Sequence, residues 1–191
     1  LLRTRRDLLR MSAVDRPTLA DIAGKRFVFY PLHTEPERAL QTLSPEYFFQ
    51  LETIAAIARD LPANRLLVVK EHVAALGRRP ADFYDQILEF KNVVLLNLLE
   101  YGLNIVKQAD AVVTITSTAG LEAASLGKPV ITFGQHNLYN FLPHVHVVRS
   151  LGDLRRHLVR VLHGGHDEEK AKRDGARLRA AMDTVSFEAY V

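Results

Sequence analysis

Hydrophobic positions along this chain come as short apolar runs separated by amphipathic stretches. Six runs read as strands: residues 26–32, 65–70, 92–96, 111–115, 130–133 and 145–148. They are rich in Val, Ile, Leu and Phe and show little alternation with polar residues, the pattern of parallel strands covered on both faces. Between them the apolar spacing turns helical. Tyr47, Leu51, Ile54, Ala58 and Leu61 recur at steps of four and three, which predicts one buried stripe on a helix opened by Ser44-Pro45. Residues 82–90 and 100–108 predict two shorter helices. Ser150 or Asp153 opens another that runs to about Leu162. Gly164-Gly165 reads as a hinge before a charged helix from Asp167 to about Met182. Residues 1–11 also read as helical, broken by Arg16-Pro17.

Strands alternating with helices predict an α/β fold, a Rossmann-like doubly wound parallel sheet of about six strands with helices on both faces. The organisation expected is a helical connector over 1–22, a Rossmann-like domain over 23–150, and C-terminal helices over 151–191 that pack on or extend from it.

Residues 111–134 carry the clearest local signal. Thr116, Ser117 and Thr118 follow a buried strand at once, and Gly127 and Pro129 end the next helix. A helix that starts at the carboxyl end of a parallel strand turns free N–H groups and its positive dipole end toward the crevice above the sheet. Ser117 and Thr118 can donate to a phosphate there, Gly120 lets a ligand approach, and Glu122, read in the first turn, can accept from ribose hydroxyls. The plainer reading keeps the hydroxyls as caps, Gly120 as a packing residue and Glu122 as a dipole partner. Two further polar clusters follow the first two strands: His33, Thr34, Glu35 and Glu37, then Lys70, Glu71 and His72. An imidazole, carboxylates and a lysine suit sugar hydroxyls, phosphate or acid–base work. Arg78-Arg79-Pro80 beyond them adds charge or is simply solvated. All three clusters fall on one edge of the sheet.

Composition narrows this further. With 191 residues, 48% hydrophobic and 25% charged, the chain can bury one good-sized core. It has no apolar run near the roughly 20 residues of a membrane span and no secretory signal pattern. It starts at Leu1 rather than Met, as a piece of a longer protein would. Absent cysteine excludes thiol chemistry and fits a cytoplasmic location. The net charge of +3 is mild, with basic residues gathered toward both ends, where they form solvated helix faces or touch an anionic membrane surface. No basic patch interleaved with aromatics is present, so nucleic acid is not an expected partner. There is no Gly-x-Gly-x-x-Gly, no P-loop and no Gly-x-Ser-x-Gly. His144 and His146 have no ligand-spaced neighbours, so neither metal nor cofactor is expected.

Three segments occur in order: Tyr30-Pro31-Leu32-His33-Thr34-Glu35-Pro36-Glu37; Val69-Lys70-Glu71-His72; and Thr114-Ile115-Thr116-Ser117-Thr118-Ala119-Gly120-Leu121-Glu122-Ala123 with Gly127-Lys128-Pro129-Val130-Ile131. Over about residues 25–150 this set resembles the bacterial capsule polysaccharide biosynthesis glycosyltransferases, including their Kdo-transferase branch. The resemblance implies a GT-B architecture, two Rossmann-like domains around a cleft, of which this chain looks like the carboxyl-terminal, donor-binding half. It implies a nucleotide-activated sugar, of CMP-Kdo type, as donor. A polysaccharide or glycolipid acceptor would reach it through an amino-terminal domain that also supplies the catalytic base, so this piece alone is expected to be inactive. The work would take place in the cytoplasm, at the inner face of the membrane. His72 matches the histidine of a His-Pro pair, with Val73 standing where the proline would be, and Ser117-Thr118 match the hydroxyl pair that holds the donor phosphate. His72 and Glu71 are then the catalytic candidates, and His33, Glu35, Lys70, Ser117, Thr118, Gly120 and Glu122 the donor-binding ones. Two other readings keep the fold: a nucleotide-sugar epimerase, and a non-catalytic polysaccharide export or assembly module.

Overall fold

The computed structural model describes residues 16–35, 37–164 and 166–186. Six strands form one sheet: β1 (Phe27–Pro31), β2 (Leu66–Lys70), β3 (Val93–Leu95), β4 (Ala111–Thr114), β5 (Val130–Thr132) and β6 (Val145–Val147). Their order is β3-β2-β1-β4-β5-β6 and every neighbouring pair is parallel. The α-helices are α1 (Arg38–Leu43), α2 (Gln50–Asp60), α3 (Phe83–Leu88), α4 (Gly102–Gln108), α5 (Thr118–Ser125), α6 (Leu154–Leu162) and α7 (Glu168–Val185). This is the expected Rossmann-like doubly wound α/β fold. The strand order reverses between β1 and β4, where open parallel sheets carry their ligand crevice.

The two-residue period of a strand divides the core in two. Val28 and Tyr30 of β1, Leu67 and Val69 of β2, and Val113 of β4 face a layer that includes Ile54 and Ile57 of α2, Ile87 of α3 and Leu158 of α6. Phe27, Phe29, Val68 and Val112 face Ile105 and Val106 of α4, Ala123 and Ala124 of α5 and Leu178 of α7. The apolar runs lack alternation because both faces are covered.

One local expectation changes. Ser44-Pro45 opens a single 3-10 turn, Pro45–Tyr47, and the long helix begins only at Gln50. The turn seats Tyr47 against Phe133, with ring centroids 4.9 Å apart. It also brings Gln50 to a buried position beneath the end of β1, and α1 fills the connection before it. The connector helix expected at residues 1–11 lies outside the described residues. Residues 16–22 belong to the domain: Leu19 and Ile22 are buried in the second core layer, and the Asn97 N–H donates to the Pro17 carbonyl at 2.8 Å.

The charged α7 is anchored by very small residues. Gly127, at φ 72°, ends the chain segment after α5 in the left-handed conformation that glycine favours. An added Cβ on Gly175 would lie 2.5 Å from the Ala124 carbonyl oxygen, and one on Gly127 would lie 2.4 Å from the Lys172 nitrogen. α5 and α7 therefore meet almost backbone to backbone, with Ala171, Gly175 and Leu178 buried. Among the described residues no helix is long and apolar enough to cross a membrane. Gly175→Ala forces α7 outward and should destabilise the protein by about 1–3 kcal/mol, the usual cost of overpacking. Urea unfolding measures this, and an unchanged midpoint would mean that α7 is not seated as described.

Candidate functional site

The carboxyl ends of β1, β2 and β4 share one edge, and a buried arginine ties two of their loops together. The Arg79 side chain is 2% exposed. Its Nε donates to Glu71 Oε2 at 2.8 Å and its Nη2 to Glu71 Oε1 at 3.1 Å, a bidentate pair. Nη1 pairs with Glu35 Oε2 at 3.1 Å, Nη2 also donates to the His33 carbonyl, and the guanidinium lies over the Phe83 ring at 4.7 Å. Burial works against the charge of Arg79, but the hydrogen bonds and charges of Glu71 and Glu35 outweigh it and hold Arg79 above the ordinary arginine value. Glu71 is 1% exposed and takes two more donors, the His72 N–H at 2.7 Å and the Tyr84 hydroxyl at 2.9 Å. This corrects the expectation for Glu71. With four hydrogen bonds spread over both oxygens it has no free lone pair aimed at a ligand, and it acts as an anchor rather than an acid or base. Glu35 is likewise committed, to Arg79 and to Gln50 Nε2.

His33 joins β1 to β4. It is 5% exposed. Gln50 Oε1 accepts from the His33 N–H at 2.7 Å and lies 3.2 Å from Nδ1, while Gln50 Nε2 donates to the His33 carbonyl at 2.9 Å. On the other side of the ring, Nε2 accepts the Thr116 N–H at 3.0 Å. These partners fix a neutral ring with the proton on Nδ1. Burial pushes its pKa down to about 4 despite the Gln50 hydrogen bond. Expected to touch substrate, His33 has both nitrogens engaged inside the protein, where it holds the start of α5 in register with β1.

At that start the sequence reading needs several changes. Ser117 stands at the N-cap, yet its side chain does not cap the helix; its Oγ lies 2.7 Å from Thr114 Oγ1. With the cap unmade, the first-turn N–H groups of Thr118 and Ala119 have no side-chain oxygen from the N-cap. Ser117 is half-buried and Thr118 exposed. Gly120 is not an opening for a ligand: an added Cβ would meet the Tyr139 hydroxyl at 2.3 Å, so its smallness admits Tyr139. Glu122 lies beyond the first turn, which holds no acidic residue. It lines an apolar cavity of about 330 Å³ with Leu103, Leu126 and Met182, between α4, α5 and α7, and burial raises its pKa.

On the neighbouring loop His72 is exposed, and its Nδ1 accepts the Ala74 N–H at 3.1 Å. The ring therefore presents Nε2–H outward as a donor. Lys70 is half-buried and donates from Nζ to the Glu71 carbonyl at 3.1 Å; burial lowers its pKa against the pull of Glu71 and Glu100. The edge thus brings His33, Glu35, Lys70, Glu71 and His72 into one bonded array that reaches Ser117 through Thr116 and Thr114. It leaves Gly120 and Glu122 outside. Gln50 and Tyr84 are participants that the sequence did not single out, and Arg79 and Thr114 stood there only within longer runs, without these roles. The Arg78-Arg79-Pro80 run was the one available signal, and nothing in it separates a solvated arginine from a buried one.

The model of the family described as capsule polysaccharide biosynthesis protein matches residues 6–142, more than half of the chain. The chain belongs to that family. Among solved structures, a Thermosulfurimonas dismutans KpsC, a beta Kdo 2,7 transferase, is 20% identical with a TM-score of 0.51, covering 93% of this chain and 62% of that one. The glycotransferase of kitacinnamycin is 15% identical with a TM-score of 0.56, over 91% of this chain and 46% of that one. A UDP-GlcNAc 2-epimerase from Methanocaldococcus jannaschii is 12% identical with a TM-score of 0.54, over 94% and 50%. At these identities the likeness is one of fold, and this chain spans less than two thirds of each of those proteins. No curated protein matches it.

For this capsule-family domain the buried neutral His33 has a thermodynamic consequence. Its folded pKa is depressed, so the stability it contributes is complete above the unfolded value of roughly 6.5 and is lost as pH falls toward about 4. NMR titration of the imidazole should show an apparent midpoint well below 6. A midpoint near 6.5 in the folded protein would contradict the bonding described for its ring.

Proposed function

We propose that this chain binds the nucleotide of an activated sugar at the crevice between β1 and β4, and is the donor-binding domain of a glycosyltransferase of capsule or surface polysaccharide synthesis. The observation that carries this reading is the uncapped start of α5 at the switch point of the sheet, with the Ser117 and Thr118 hydroxyls beside it. His72, two strands away and so about 10 Å across the edge, offers a further donor. A nucleotide phosphate attached to a sugar spans such a distance. The matching family and the pairing of His72 with Ser117-Thr118 support a CMP-activated donor of Kdo type, which has one phosphate to hold. Val73, 54% exposed in the place of a proline, leaves an N–H in that turn.

In the transfer an acceptor hydroxyl loses its proton and attacks the anomeric carbon as the bond to the nucleotide phosphate breaks. Negative charge grows on the leaving phosphate. Fixed donors at Ser117 and the first turn of α5 stabilise that charge without reorganising, commonly the largest part of such a rate enhancement, while His72 Nε2 is a further donor toward the rest of the donor molecule. Glu71 takes no part in the proton transfer. The base comes from another domain, which would close over this edge. Phe49, Val73, Leu99, Tyr101 and Leu138, all more than half exposed on the loops of this rim, give that domain an apolar seat. An acceptor-independent turnover of a UDP-sugar would favour the epimerase reading instead.

Isothermal titration with CMP, UMP and UDP tests the proposal. Binding by the domain is expected to be weak, and absence of binding to all three at millimolar concentration contradicts it. Ser117→Ala combined with Thr118→Ala should weaken binding by roughly 1.5–3 kcal/mol per lost charge-assisted hydrogen bond. The melting temperature should fall only by what the lost acceptor for the buried Thr114 hydroxyl costs, because Ser117 does not cap α5.

A further inference from the structure

Thr114 is the last residue of β4 and its side chain is fully buried. Three groups surround its Oγ1: the Ser117 N–H at 3.2 Å, Ser117 Oγ at 2.7 Å and His33 Nε2 at 3.5 Å. A hydroxyl has one proton and two lone pairs. The Ser117 N–H takes one lone pair. The proton has two possible acceptors. His33 Nε2 has a single lone pair in the ring plane, already filled by the Thr116 N–H at 3.0 Å, and 3.5 Å is at the outer limit for a hydrogen bond. Ser117 Oγ is close and open. The Thr114 proton therefore goes to Ser117 Oγ, and the Ser117 proton cannot point back toward Thr114.

We infer that Thr114 is a positioning residue: it orients the Ser117 hydroxyl as an outward donor and so makes this edge select an anionic phosphate over a neutral hydroxyl ligand. The inference rests on the reading that the donor phosphate sits at Ser117. Around that position the first-turn N–H groups of α5 are also donors. A phosphate oxygen accepts from these donors and brings the negative charge that a helix start favours, whereas a neutral sugar hydroxyl brings none. The chain of bonds begins at Gln50, whose Oε1 keeps the His33 proton on Nδ1 and leaves Nε2 to accept from Thr116. Thr114 needs no contact with the ligand to have this effect.

The test is isothermal titration of CMP and of cytidine against wild type, Thr114→Val, Thr114→Ser and Ser117→Ala, with melting temperatures recorded for each. Thr114→Val keeps the shape of the side chain in a strand already built of valines and removes only the hydroxyl. It should bind CMP about tenfold more weakly while the weak affinity for cytidine stays unchanged; one charge-assisted hydrogen bond corresponds to that factor. Thr114→Ser should restore CMP binding, a rescue that a purely structural role for the γ-methyl would not produce. Thr114→Ala serves as the second truncation if the valine variant does not fold. CMP binding by Thr114→Val equal to wild type, with Ser117→Ala weakened, overturns the inference and leaves the phosphate placement standing. Equal CMP binding by Ser117→Ala and wild type overturns the phosphate placement itself, and this inference with it.

Discussion

The bidentate pair between Arg79 and Glu71 is the interaction on which the rest of this edge depends. Removing two charges from water is costly, and a buried pair repays that only when its hydrogen bonds are complete. Here they are. Glu71 receives Arg79 twice, the His72 N–H and the Tyr84 hydroxyl, and Arg79 reaches on to Glu35 and the His33 carbonyl. The pair thus sets two loops that follow different strands. Losing one partner would strand the other's charge in the interior, at a cost of about 3–5 kcal/mol.

This network separates the groups that hold the edge from those that can meet a ligand. Glu35, Glu71 and His33 are used up within the protein. Ser117, Thr118 and His72 are what remains open at the surface of the edge, and each offers a proton. A site of donors on a preset frame suits the proposed role, holding a phosphate whose charge increases as its bond to the sugar breaks. Glu71, a catalytic candidate in the sequence, and Glu35, a donor-binding one, serve instead to fix where the donors stand.

The strands and their order of appearance were legible because apolar β-branched runs of this length have few other uses, and the helix after β4 because Ser117-Thr118 and Gly127-Lys128-Pro129 bracket it. The late start of α2 was not legible, since Ser44-Pro45 is as good an opening for a 3-10 turn as for an α-helix. The anchor in α7 was hidden by its charge: Ala171 and Gly175 bury almost no apolar area, and their role is to be small. Within the site, the sequence located the three loops but not the division of labour among their residues. Whether Glu71 is a base or an anchor depends on Arg79, eight residues on. Whether Gly120 admits a ligand or a tyrosine depends on Tyr139, on another loop. Both are long-range facts of packing that local spacing does not encode.

The most direct measurement is a crystal structure of this domain soaked with CMP. The account predicts the phosphate at the start of α5, within hydrogen-bond distance of Ser117 Oγ and the Thr118 N–H, with the Arg79–Glu71 pair unchanged. A phosphate bound elsewhere, such as against Lys128 and Lys172 at the opposite edge of the sheet, would contradict it.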